Sequence, residues 1–198
     1  MGSTGGMVVG SGDVTSETRT VARFTEVSAD GGIQLELATG PQQVVVTAQP
    51  NIADIATTEV SGSRLTVDTT SGYVTAQGLV VKVTTPRMTG IELSGGASAS
   101  GAVGTTQDLA FTMSGGARAS LSGSATNLRL EASGGALPDL SGLQATNATI
   151  DLSGGVVASV RVSGSLTGSA SGGVVLTLTT QPASSNVETS GGAIVRNP

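Results

Sequence analysis

Four carboxylates are the residues whose spacing suggests shared chemistry. Glu92, Glu131, Asp151 and Glu188 each stand two places before a Ser-Gly-Gly tripeptide, and Thr112 and Ser169 hold that place before two further copies. If successive copies stack as parallel strands about 5 Å apart, these side chains share one exposed stripe, with Glu131 and Asp151 as neighbours. Like charges so placed repel, and either a bound cation or a raised carboxyl pKa relieves them. The stripe is therefore a candidate cation site. Against it, a calcium ion takes about six or more oxygens, and no Asp-rich loop is present to supply them. The plainer reading is a solvated, charged face that keeps a long sheet soluble.

The other chemistry-bearing residues are sparse. The 198 residues include no His and no Cys, which excludes an imidazole base, a thiolate nucleophile, an ordinary zinc site and a disulfide. Asp13, Glu17, Asp30, Asp54, Asp68, Asp108 and Asp139 are scattered singly and follow no repeat period, as are the arginines. No pair of carboxylates is thus marked out for glycoside hydrolysis. Sugar rings stack on aromatic faces, and only Phe24, Tyr73 and Phe111 exist. Phe24 and Phe111 fall on inward positions of alternating segments, which leaves Tyr73, beside Gly72, as the one aromatic expected near the surface. A single lysine, Lys82, and a net charge of −5 argue against a nucleic-acid partner. No catalytic residue and no cofactor are expected.

The element that positions these side chains is a repeat. Ser-Gly-Gly occurs at Ser94-Gly95-Gly96, Ser114-Gly115-Gly116, Ser133-Gly134-Gly135, Ser153-Gly154-Gly155, Ser171-Gly172-Gly173 and Ser190-Gly191-Gly192. The intervals are 20, 19, 20, 18 and 19 residues. Ile91, Phe111, Leu130, Ile150, Gly168 and Val187 stand three residues before each Ser, and Leu93, Met113, Ala132, Leu152, Ala170 and Thr189 one residue before. The polar residues between them complete a period of two, the signature of a half-buried strand. Ala97, Ala117, Ala136, Val156, Val174 and Ala193 open a second strand after the glycines. A unit of about 19 residues cannot house two helices, and a leucine-rich repeat would need an Asn ladder and a helical return. What remains is a parallel β-solenoid, with Ser-Gly-Gly as the corner at which every coil turns and Gly supplying positive φ there.

The first half repeats the theme loosely. Strands are expected at Val21–Val27, Ile33–Leu37, Val44–Ala48, Arg64–Thr69 and Leu79–Thr84, with Asn51–Thr58 as a short helical turn. Residues 1–11 read as a flexible N-terminal tag or linker, and 12–198 as a single domain. A signal sequence or lipobox cysteine is expected ahead of Met1 in the natural precursor. No run approaches the ~18 consecutive apolar residues of a membrane-spanning helix.

Several segments together resemble a bacterial family of unknown function catalogued as putative auto-transporter adhesins, head GIN domain. They are Gly10-Ser11-Gly12, Arg19-x-Val21-x-x-Phe24, Gly32-Ile33-Gln34-Leu35, Ser61-Gly62-Ser63-Arg64-Leu65-Thr66-Val67 and the Ser-Gly-Gly units. The chain departs from that pattern at Gln34, where the family has Asn, and at its C-terminal Ala193–Pro198. The resemblance implies a right-handed parallel β-helix exported to the bacterial cell envelope, in many members as a lipoprotein, with no catalytic residues.

The expected fold is accordingly all-β: a single-stranded right-handed parallel β-helix of about 19 residues per coil and nine or ten coils. The expected function is a non-catalytic cell-envelope or surface module, an adhesin-like scaffold for a protein or glycan partner at the cell surface. The alternatives are an envelope structural or stress-sensing module that binds another envelope protein and, behind it, a carbohydrate-active enzyme. The last coil lacks a polar cap, so the expected state is a monomer or a weak end-to-end dimer.

Overall fold

A computed structural model describes residues 7–198, of which 66% are strand and 2% helix. The first part of the chain holds β1 (Val8–Val9), β2 (Thr15–Arg19), β3 (Glu26–Ala29), β4 (Ile33–Thr39), β5 (Gln43–Ala48), the short helix α1 (Pro50–Ala53), β6 (Ala56–Ser61), β7 (Arg64–Thr69), β8 (Tyr73–Val74) and β9 (Leu79–Thr85). The repeat region holds β10 (Gly90–Leu93), β11 (Ser98–Met113), β12 (Arg118–Ala132), β13 (Leu137–Gly154), β14 (Val157–Val162), β15 (Ser165–Gly172), β16 (Val175–Leu178), β17 (Ser184–Ser190) and β18 (Ile194–Arg196). Stacked parallel strands form a β-solenoid of about five turns.

In the repeat region each coil lies in register on the one before. Ile91 pairs with Phe111, then Leu130, Ile150, Gly168 and Val187 follow in one inward column. Phe111 and Leu130 are fully buried there. Alternation on a pleated strand places these apolar residues inside and their polar neighbours outside, so the 2-residue period becomes one core and one face. The corners stack as well: Gly116 N donates to Gly95 O at 2.8 Å, Gly135 N to Gly115 O at 2.8 Å, and Gly155 N to Gly134 O at 2.6 Å.

The corner needs its two glycines unequally. In all six copies the first has positive φ, between +63° and +83°, whereas of the second glycines only Gly192 does. A Cβ on Gly115, Gly134, Gly154 or Gly172 would also lie 2.9–3.0 Å from a carbonyl oxygen of the coil below. On Gly96, Gly116, Gly135, Gly155 or Gly173 it would meet only ordinary contacts at 3.5–3.7 Å. Gly31 adopts the same conformation at φ +71° and lies directly against Gly95. Asp30-Gly31-Gly32 is thus a seventh corner in the column.

The expectation of nine or ten coils is corrected to about five turns. The first half folds in a different order from its sequence. β3 pairs in parallel with β10 on one side and β7 on the other; β4 pairs with β11 on one side and β9 on the other. The coil made by β3 and β4 is therefore inserted between the later segment β7–β9 and the first Ser-Gly-Gly coil. Residues 40–63 leave the solenoid altogether and return as antiparallel strands, β5 on β9 and β6 on β7, with β2 antiparallel on β5. They cover the edges that β7 and β9 would otherwise expose.

Local differences have side-chain causes. The strand expected at Val21–Val27 begins only at Glu26. Before it, Gln42 takes the place of a strand partner: its Oε1 accepts from Phe24 N at 3.3 Å and its Nε2 donates to Ala22 O at 2.8 Å. Within the stretch expected to be a linker, residues 1–6 lie outside the described residues. Val8–Val9 form β1, parallel to β8. Asn51 anchors this segment by donating from Nδ2 to Val9 O at 2.8 Å and accepting from Ser11 N at 2.9 Å.

Candidate functional site

Two outward columns run along the face that precedes the corner. The first is Glu92, Thr112, Glu131, Asp151, Ser169 and Glu188, each paired with the next across a parallel ladder. The carboxylates singled out by spacing do share one stripe. Arg129, Thr149, Thr167 and Asn186 stand in the second column, two residues upstream on the same strands. Where the columns pass Gly168 they border a shallow groove of about 380 Å³, with Leu130 and Ile150 among its lining residues. Gly168 breaks the inward apolar column there, and its φ of +135° bends the strand so that a Cβ would sit 1.9 Å from Ile150 O.

Two of the four carboxylates on the stripe, Glu92 and Glu131, are paired with arginine. Arg64 bridges two strands, with Nη1 2.6 Å from Glu92 Oε2 and Nε 3.3 Å from Glu26 Oε2. Arg129 Nε donates to Glu131 Oε1 at 2.7 Å. Asp151 accepts from the Ser169 hydroxyl at 3.2 Å. Among the described residues no three His, Cys, Asp or Glu side chains converge as metal ligands would. The Arg129–Glu131 pair has a sequence signal, two residues of opposite charge on one side of one strand. Arg64 has none, because its neighbours come from a permuted stack.

Asp108 is in register with Asn127 and Asn147 on a further column of amide side chains. Asn127 Nδ2 donates to Asp108 Oδ1 at 2.8 Å, Asn147 Nδ2 to Asn127 Oδ1 at 3.3 Å, and the Ser165 hydroxyl to Asn147 Oδ1 at 2.9 Å. The ladder ties successive coils together by matching amide donors to carbonyl or carboxylate acceptors. It was missed because three different residue types hold the position.

Tyr73 is not a free stacking surface. It is half-buried in β8, its hydroxyl is out of contact with solvent and without a hydrogen-bond partner, and it lies beneath Gly32, where a Cβ would approach it to 3.2 Å. Burial pushes its phenol above the ordinary value of 10.0.

The pattern that defines the family described as "Putative auto-transporter adhesin, head GIN domain" matches residues 23–182. Among solved structures, a putative adhesin from Bacteroides fragilis NCTC 9343 is similar with a TM-score of 0.75 at 14% identity, covering 96% of this chain and 100% of that one. A putative adhesin from Parabacteroides distasonis ATCC 8503 is similar with a TM-score of 0.65 at 18% identity, covering 98% and 100%. A putative lipid binding protein from the same strain gives 0.53 at 12% identity, covering 98% and 100%. At such identities the likeness is one of fold. No curated protein matches the sequence.

Proposed function

The chain belongs to the family of putative auto-transporter adhesins, head GIN domain, and from that premise we propose that it is a non-catalytic binding module of the bacterial cell surface or envelope. The observation that carries this reading is the pair of outward columns on the solenoid face. Arg129, Thr149, Thr167 and Asn186 offer donors beside acceptors on Glu131, Asp151, Ser169 and Glu188, repeated at the spacing of the strands. A rigid ladder of short polar side chains suits a polyhydroxylated glycan, whose hydroxyls both donate and accept. Glu131 is held by Arg129 and Asp151 by Ser169, so neither is set apart as a general base. The names carried by the family and by its structural relatives point to an envelope location. No helix among the described residues is long and apolar enough to cross a membrane.

A second reading, a module that binds another envelope protein, is favoured by the far end of the solenoid. β17 and β18 are paired on one side only, and an unpaired strand edge invites another chain to add to it.

The test is binding of the purified protein to a glycan array and to intact cells, alongside the variant Thr149→Arg/Thr167→Arg, which fills the groove without touching the core. Glycan binding lost in that variant supports the first reading. Binding that persists undiminished, or is absent while a protein partner is captured through the β17 edge, overturns it.

A further inference from the structure

A second groove, of about 650 Å³, opens where the chain crosses from β9 to β10. Its walls come from the crossover itself, Thr85–Arg87, from Arg23–Thr25 ahead of β3, and from Ser63 ahead of β7. The groove exists because of the permuted stack. Regular coils carry strand around this corner, as β11 and β12 do, whereas only residues 86–89 separate β9 from β10. Thr85 stiffens the crossover, its hydroxyl donating to Arg87 O at 3.1 Å.

The lining has two parts. Phe24, only 3% exposed, closes the floor of the groove from beneath, and the exposed Pro86 supplies apolar surface beside it. Arg23 and Arg87 are exposed and line the same groove. The ion pairs among the described residues engage Arg19, Arg64 and Arg129, so neither groove arginine has a carboxylate partner. No carboxylate lines the groove, and nearby Glu26 is held by Ser63 Oγ at 3.0 Å and by Arg64. Two unpaired guanidiniums on one apolar cleft, in a chain of net charge −5, mark a local surplus of positive charge. The volume falls within the roughly 300–1,000 Å³ usual for small-molecule sites, which are mostly apolar with a few polar groups that orient the ligand. Guanidinium is also the side chain best suited to carboxylate and phosphate.

We propose that this groove binds an amphiphile with an anionic headgroup, a carboxylate or phosphate on an aliphatic chain. The chain lies along Pro86, over the floor that Phe24 closes, and the headgroup is paired by Arg23 and Arg87. The proposal uses none of the residues of the solenoid face and stands apart from the reading of that face.

Titration calorimetry on the whole protein tests it, with dodecanoate and dodecyl phosphate below their micellar concentrations. Dodecyl maltoside, acetate and inorganic phosphate serve as comparisons. The expected result is one-to-one binding of at least one anionic amphiphile. Arg23→Gln/Arg87→Gln weakens it at least tenfold, and Ser63→Trp, which obstructs the groove but keeps both arginines, abolishes it. A preference between the two probes identifies the headgroup. Far-ultraviolet circular dichroism confirms that each variant keeps its strand content. The proposal is overturned if neither anionic amphiphile binds, if dodecyl maltoside binds as tightly, if acetate or phosphate alone accounts for the affinity, or if the double variant binds like the parent.

Discussion

Thr25 and Thr89, 64 residues apart in the chain, hold each other at the point where the crossover joins the solenoid. The Thr89 hydroxyl reaches the Thr25 carbonyl at 3.2 Å and its hydroxyl at 3.0 Å, and Thr89 N donates to the same carbonyl at 2.7 Å. The contact seats the first Ser-Gly-Gly coil on β3 rather than on β7, the strand on the same face one coil earlier in the chain. Thr89→Val keeps shape and backbone bond but removes the hydroxyl. It is expected to cost about 1 kcal/mol in urea denaturation, the net worth of one partly buried hydrogen bond. A change below 0.3 kcal/mol (about the error of such a measurement) would remove the hydroxyl from the account.

The unequal corner glycines make a paired prediction. Gly115→Ala places a Cβ at φ +67° and 2.9 Å from Gly95 O, and is expected to destabilise by about 2 kcal/mol or more. Gly116→Ala meets only a contact at 3.6 Å and is expected to be neutral or to stabilise by up to about 1 kcal/mol, because alanine restricts the unfolded chain. Equal effects from the two would contradict the assignment of the turn's strain to its first glycine.

Arg64 is about half exposed, as are its partners Glu26 and Glu92 to lesser degrees. Its two ion pairs are therefore screened by solvent. Arg64→Met is expected to cost no more than about 1 kcal/mol at low ionic strength, shrinking toward zero near 1 M salt. A loss that is large and independent of salt would show instead that the arginine stem, packed across three strands, supplies the stability.

Tyr73 links stability to alkaline pH. Burial disfavours its phenolate, so its folded pKa lies above the unfolded value of 10.0. The stabilisation is fully present below that value and is lost as pH rises from there through the folded pKa, because the unfolded chain releases its proton first. Tyr73→Phe removes this loss. It also removes a buried hydroxyl without a partner, so at pH 7 the variant is expected to be as stable as the parent or slightly more so. Thermal melts at pH 7 and pH 11 for both proteins check the point; an identical alkaline loss in the two would assign it elsewhere.

The repeat half was legible in the residues themselves. Two-residue alternation around Ile91, Phe111, Leu130 and Ile150 determines which side faces inward, and a slip of one residue would bury Thr112, Glu131 and Asp151. The stripe of Glu92, Glu131, Asp151 and Glu188 followed at once, since in-register stacking turns a repeat interval into a strand spacing. The family resemblance is met by the family's own pattern over residues 23–182, which leaves Gly10-Ser11-Gly12, Arg19 and Val21 outside the match. β2 was not legible, because Thr15–Arg19 is polar at every position and almost wholly exposed, and so carries no hydrophobic period.

The sequence by itself determined the corner, the coil length, the inward and outward residues and the shared carboxylate stripe, because all of these depend on contacts between units that resemble one another. Only the tertiary structure decided the order in which the first half stacks, the antiparallel cover of β2, β5 and β6, the reach of Arg64 to Glu92, and the groove between Arg23 and Arg87. Those features depend on which strand edge each segment of the first half meets. β3, β7 and β10 all carry alternating apolar residues that satisfy the same core, so local pattern does not rank their neighbours. The choice falls to long-range pairing such as that between Thr25 and Thr89, which no local period encodes.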